Sequence, residues 1–207
     1  MKLKKIEENI DKIKIILYSR DLFLKYGFHK ISIGEIAKKM KISKNTIYKY
    51  FPAKNNLIEE ILKYTSDEIN ENFQMILSSK INAVLKFIKV LEYAANVIMK
   101  FHDKFFKELR IYNPELSDLI EKIRAKYMYS NISKLIRQGK KEKLYKDYPD
   151  EVLITIFISI IKSVCNPEFI ASNNFSLFES MKLSFEIFLN GILTAKGKKV
   201  FIKLKII

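Results

Sequence analysis

The sequence predicts an all-α protein, and three observations predict it. Glycine and proline are scarce, 5 and 4 in 207 residues, too few for the tight turns of a sheet-rich fold. Apolar side chains recur at three- and four-residue steps along most of the chain, the spacing of helices that bury one face. Ser32-x-x-Glu35 has the form of a capping box standing before such a run.

The elements follow in order. Ile6, Ile10, Ile13, Leu17 and Phe23 mark the apolar face of a first helix over about residues 4–26, and Gly27 is placed to end it. Ser32 caps a short helix over 33–40, Lys41-Ile42 makes a turn, and Ser43 caps a second short helix over 44–50 that Pro52 stops. Leu57, Ile58, Ile61, Leu62, Thr65, Ile69, Phe73 and Leu77 predict one long helix over 54–78. Further helices are predicted over 80–102, over 103–112, from Pro114 to about 138 with Gly139 ending it, from Pro149 to about 166, and over 175–195. That makes about nine helices. The stretch Gln138–Lys146 reads as a turn or loop, and the last residues, KGKKVFIKLKII, alternate more like a strand than a helix and form either a loosely held tail or an appendage docked on the body or on a partner.

Composition narrows the classes of function. The single cysteine, Cys165, sits beside an apolar run, reads as a small buried residue and implies a reducing, cytoplasmic setting. Two histidines, His29 and His102, lie far apart, and no G-x-G-x-x-G, P-loop or H-E-x-x-H motif is present. Neither a catalytic set nor a metal site is therefore expected, and no cofactor. The longest apolar run is too short to span a bilayer, and no membrane partner is expected.

The charge is +15, but 34 of the 38 basic residues are lysine, a habit that an AT-rich genome imposes on any protein. Its distribution is more telling. Residues 1–54 hold 14 basic and 5 acidic residues, a net +9, while the other 153 hold 24 and 18, a net +6. The excess coincides with two short capped helices preceded by a longer one. This is a helix-turn-helix, whose second short helix enters the DNA major groove with its first residues facing base edges. Lys44, Asn45, Thr46, Tyr48, Lys49 and Tyr50 supply groups that bond phosphates and bases, and Lys54 opens the next helix, where its ammonium and free N–H groups suit a phosphate.

The stretch Ile15–Leu57 resembles the N-terminal DNA-binding domain of TetR-family transcriptional regulators. The likeness is carried by Ile15-Ile16, Leu22-Phe23, Gly27-Phe28, Ser32-Ile33, Ile36-Ala37, Ile42-Ser43-Lys44, Thr46-Ile47-Tyr48, Tyr50-Phe51-Pro52 and Lys54, without a gap. The resemblance implies that Ser32, Thr46, Tyr48, Tyr50 and Lys54 hold phosphates and that Lys44, Asn45 and Lys49 face bases. Two positions depart from the pattern. Lys41 replaces the usual turn glycine, and Gly34 offers no side chain where some relatives project one.

The resemblance also implies a helix-turn-helix domain over 1–53 and a helical effector-binding and dimerisation domain over 54–195, which the basic-apolar tail over 196–207 follows. Its partners would be a double-stranded DNA operator, a second copy of the chain and a small-molecule effector, with the chain acting as a repressor that the effector releases. Phe101, Phe105, Tyr112 and Tyr127 are the aromatic candidates for an effector, and Ile156, Ile160, Met181, Phe185 and Phe188 for a homodimer interface. The alternative is a helical binding protein with a basic surface and a vestigial head.

Overall fold

The computed structural model describes residues 2–100, 103–164 and 167–205. Among these residues the chain forms helices α1 (Lys2–Tyr26), α2 (Ile33–Met40), α3 (Lys44–Tyr50), α4 (Lys54–Ser78), α5 (Ala83–Lys100) and α6 (Asp103–Tyr112). They are followed by α7 (Pro114–Lys141), α8 (Asp150–Val164), α9 (Pro167–Asn173), α10 (Leu177–Ile192) and α11 (Ala195–Lys205). The all-α expectation holds: among the described residues β-pairing is limited to one isolated antiparallel bridge, Tyr145 with Leu193. The chain divides into two compact units, Met1–Ile69 with Lys100–Arg124, and Asn70–Met99 with Ala125–Ile207.

The first unit is built on one face of each of its helices. Ile15, Ile16 and Phe23 of α1 pack with Ile36 and Ala37 of α2, Ile47 of α3, and Leu57, Ile58 and Ile61 of α4. Each fully buried side chain of this size contributes about 1.5–3 kcal/mol. Phe105 and Leu109 of α6 join the same core, so the compact unit extends past residue 53. Phe28 sits edge-on to both Phe23 and Phe105, at centroid distances of 6.3 and 5.6 Å. Two ion pairs fasten α1 to α4: Lys12–Glu60 at 2.6 Å and Arg20–Glu68 at 2.7 Å.

The second unit centres on four phenylalanines. Phe87 of α5, Phe157 of α8, and Phe185 and Phe188 of α10 lie with centroids 5.2–6.0 Å apart, mostly edge to face, the arrangement that ring quadrupoles favour. The start of α5 is closed by side chains from elsewhere in the unit. Asn82 accepts the Leu85 N–H at 3.0 Å, and the Glu142 carboxylate accepts the Ala83 N–H at 2.8 Å. Buried Lys86 donates to Gln138 Oε1 at 2.8 Å and to the Leu77 carbonyl. The Tyr145 hydroxyl donates to the Ala83 carbonyl at 3.0 Å, and burial pushes its pKa up.

Three expectations are corrected here. Gly139 does not end α7, which runs on to Lys141. Glycine is required there for space: a Cβ would lie 2.0 Å from the ring of Tyr145. Pro167 does more than stop α8, because it is the first residue of a further helix, α9. The described part of the basic-apolar tail is the helix α11, an appendage docked on the second unit, neither strand nor loose end. Thr194 caps it, its Oγ1 accepting the Gly197 N–H at 3.1 Å, and Phe201 is buried in the second core. Cys165 and His102 lie outside the described residues.

The contact at Gly139 decides the sign of a substitution. Alanine is the better helix former by about 1 kcal/mol, but overpacking against a buried ring costs about 1–3 kcal/mol. Gly139→Ala is therefore expected to lower the unfolding midpoint in urea; an unchanged or higher midpoint would show that Tyr145 moves freely.

Candidate nucleic-acid interface

The two short helices are held by local chemistry. Ser32 is the N-cap of α2: its Oγ accepts the Glu35 N–H at 3.2 Å, and the Glu35 carboxylate accepts the Ser32 N–H at 2.6 Å. The capping box read from sequence is thus formed, and these hydrogen bonds hold the Glu35 pKa below the usual carboxylate range. At the other end Lys41 adopts φ 56°, ψ 39°. The Ile42 N–H reaches the Ala37 carbonyl at 3.0 Å and the Lys41 N–H the Lys38 carbonyl at 3.2 Å, the two bonds of a Schellman motif. Ser43 then caps α3, accepting the Thr46 N–H at 3.0 Å and pairing with the Thr46 hydroxyl at 2.9 Å.

One side of α3 is sealed, since Ile47 and the following Phe51 are fully buried. The other side presents Lys44, Asn45, Tyr48 and Lys49 to solvent, with Tyr48 44% exposed. Ammonium, amide and phenol groups on one exposed face can bond phosphate oxygens and base edges. Ser32 is exposed at the start of α2, and Thr46 and Tyr50 are half-buried at the margin of this face. The Lys49 ammonium lies 5.4 Å from the Tyr50 ring centroid.

Lys54 is more deeply engaged than its place at a helix start suggests. Its ammonium stands 6.0 Å from the Phe23 ring centroid. Burial lowers its pKa, against the opposing pull of Glu108 and Glu35. Glu108 itself carries a role that sequence reasoning missed. Gly27 has φ +82°, and the Glu108 carboxylate occupies the space a Cβ there would need, while accepting the His29 N–H at 3.0 Å. Tyr112 stacks on the His29 ring at 4.0 Å. Two side chains of α6 thereby clasp the α1–α2 loop; the sequence signal was Gly27 alone. A second feature missed is the seat for Lys44, whose Cε would lie 2.9 Å from a Cβ on Gly34. The glycine that offers no side chain of its own makes room for that of Lys44.

The family model for bacterial regulatory proteins of the tetR family matches residues 15–61, the segment that holds the second half of α1, α2, α3 and the first turns of α4. Over that segment the chain is similar to TetR-family regulators. YuxN, an HTH-type transcriptional regulator of Bacillus subtilis, is 29% identical over 141 residues, which are 65% of this chain and 48% of YuxN. The match thus spans about half the length of that relative. A transcriptional regulator from Cytophaga hutchinsonii shares the fold with a TM-score of 0.72 at 22% identity, over 87% of this chain and 97% of that one. FadR of Bacillus subtilis, solved with stearoyl-CoA, does so with a TM-score of 0.65 at 18% identity, over 87% and 98%.

The other expected sites are not gathered by the structure into one place. Phe101 lies outside the described residues. Phe105 is buried in the first core, Tyr112 is exposed against His29, and Tyr127 belongs to the second unit. Met181, Phe185 and Phe188 are buried within the second unit's own core, Ile160 packs at its edge, and only Ile156 of that set is exposed. The exposed aliphatic residues of α10 are instead Leu183 and Ile187, one helical turn apart.

The left-handed conformation of Lys41 leads to a test of the turn. That region costs an L-residue about 1–2 kcal/mol, and glycine returns part of the gain through its freer unfolded chain. Lys41→Gly is expected to raise the thermal midpoint modestly, by up to about 1 kcal/mol in stability. A fall would mean that the exposed lysine makes a compensating contact.

Proposed function

We propose that this chain is a sequence-specific DNA-binding transcriptional regulator of the TetR family that works as a homodimer, a repressor released from its operator by a small-molecule effector. The observation that carries the DNA reading is α3: a capped helix with Ile47 sealed inside and Lys44, Asn45, Tyr48 and Lys49 outside. Lys44, Asn45 and Lys49 read bases in this proposal, and Ser32, Thr46, Tyr48, Tyr50 and Lys54 anchor phosphates.

Dimerisation is supported by an apolar surface that the protomer leaves open. α8 exposes Val152 and Ile156, and α10, which packs on α8, exposes Leu183 and Ile187, the last 63% exposed. Aliphatic pairs at helical spacing on two adjacent helices suit a two-fold contact. A two-fold pair presents two recognition helices to half-sites about 34 Å apart. FadR is seen with stearoyl-CoA; for the present chain an effector of small-molecule class is proposed without further identity.

Selection of genomic fragments with the purified protein gives the operator. On that operator Tyr48→Phe should weaken binding alike across sequences, and Lys44→Ala should relax preference at one base pair, at a cost of about 1–3 kcal/mol. An unchanged footprint and affinity would remove Lys44 from readout. The salt slope should be steep; equal affinity for all fragments would favour the vestigial-head reading. Leu183→Glu with Ile187→Glu should yield a folded monomer by analytical ultracentrifugation with much weaker operator binding. A dimer that survives both substitutions places the interface elsewhere.

A further inference from the structure

The second unit has a charge focus of its own. It holds 17 basic and 9 acidic residues, a net +8. Residues 138–149, the end of α7 and its connection to α8, and residues 193–205, which contain α11, together hold 9 lysines and 2 acids, a net +7. The fold joins these two stretches. Thr194 Oγ1 donates to the Lys143 carbonyl and the Thr194 N–H to the Leu144 carbonyl, each at 2.9 Å, and Tyr145 bridges to Leu193.

Local contacts account for part of this charge. Lys140 pairs with Asp150 and Asp147, Lys146 donates to the Gly191 carbonyl, and Lys196 donates to the Glu142 carbonyl. Both acids of the two stretches are engaged as well, Asp147 by Lys140 and the Glu142 carboxylate by the Ala83 N–H and Gln138. Lys141, Lys143, Lys198, Lys199 and Lys203 are exposed, and none of their ammonium groups meets a carboxylate among the described residues. Lys143 holds a left-handed φ of 59°, which is unfavourable for an L-residue. Lys199 and Lys203 stand one turn apart on α11, where like charges repel. Neither arrangement serves the fold, and a bound polyanion relieves the second.

The make-up of this surface decides which polyanion fits. α11 spends its apolar side on the second core: Phe201 is buried there, and Gly197, one turn before it, lies against the Leu144 carbonyl. On the outward side Ile202 is the one exposed large apolar residue among the described residues of α11, standing between lysines. A helix that lies in a lipid surface needs a continuous apolar face, and a protein partner is held by a cluster of buried anchors. Lysines without such a face suit a partner bound by charge alone. Duplex DNA is that partner: it carries about one phosphate charge per 1.7 Å of axis and releases condensed counterions as lysines replace them.

We infer that the outward side of α11, with Lys141 and Lys143 beside it, binds the phosphate backbone of duplex DNA without regard to sequence, a second contact made by residues other than those of α3. Lysine ammoniums are point charges without the fork of arginine, so they add affinity and no base readout. The inference does not depend on the role given to α3.

The test uses the full chain with the face of α3 neutralised by Lys44→Gln and Lys49→Gln. Binding of a labelled random-sequence duplex is followed by fluorescence anisotropy across a salt series. In that background Lys198→Gln, Lys199→Gln and Lys203→Gln together should weaken binding by about tenfold or more at low salt and reduce the slope of log K against log[salt] by about 2–3, since each phosphate contact contributes about 0.9. Arginine at the same three positions should keep both affinity and slope. If neutralising α3 leaves the binding of every fragment unchanged while the α11 change removes it, the reading of α3 fails and this one holds. Equal affinity and slope in the glutamine variant, or no duplex binding in the α3-neutralised background, overturns the proposal. Flotation with phosphatidylglycerol vesicles that the glutamine variant loses, with duplex binding unaffected, assigns the surface to lipid and overturns it too.

Discussion

A seven-residue helix is not stable alone in water, because its nucleation cost exceeds what so few hydrogen bonds return. α3 exists only because Ile47 and Phe51 are locked into the core formed by α1, α2 and α4. Everything the exposed face presents depends on that burial. The caps refine it: Ser43 fixes where α3 begins, and the Phe51 N–H bonded to the Ile47 carbonyl at 2.9 Å fixes where it ends. With both ends set and one face sealed, the positions of Lys44, Asn45, Tyr48 and Lys49 follow from helical geometry.

The same core explains why α6 belongs with the head. Leu109 and Phe105 complete the apolar packing beneath Phe28, and this brings Glu108 over Gly27. A carboxylate in that place holds the loop before α2 and also faces the Lys54 ammonium. Lys54 is therefore partly committed to the fold. In the proposed phosphate contact Lys54 would be shared with Glu108 and Glu35, and is expected to add less affinity than an unencumbered lysine.

Legibility in the sequence follows the range of the interactions. The Ser32–Glu35 box, the Ser43 cap, Gly27 at positive φ and the left-handed Lys41 are settled by residues within five positions of one another, and each is readable. What escaped depends on distant partners. Gly139 resembles a helix terminator until the Tyr145 ring is placed against it. α11 resembles a tail until Thr194 caps it and Gly197 lies against the Leu144 carbonyl, where a Cβ would stand 2.2 Å away. On α10 the pattern is apolar on both sides, and only tertiary packing shows that Phe185 and Phe188 face the core while Leu183 and Ile187 do not.

The net charge of +15 also divides by use. Several lysines of the second unit cap backbone rather than await a polyanion. Lys146 donates to the Gly191 carbonyl and Lys196 to the Glu142 carbonyl, each at 2.9 Å, at the ends of α10 and α7. Lys140 pairs with Asp150 at 2.6 Å, holding that carboxyl below the usual range as α8 begins. Cations at helix C-termini and an anion at a helix N-terminus are where macrodipoles favour them, each by about 0.3–1 kcal/mol at exposed sites. Lysine in this unit thus does the capping that glycine and asparagine often do, consistent with a chain that holds only 5 glycines. The lysines of α3 differ in kind: α3 is a short helix whose cap is already made by Ser43, and Lys44 and Lys49 stay exposed on the face opposite Ile47. Position relative to a helix end, more than the total, separates charge committed to the fold from charge left on an exposed face.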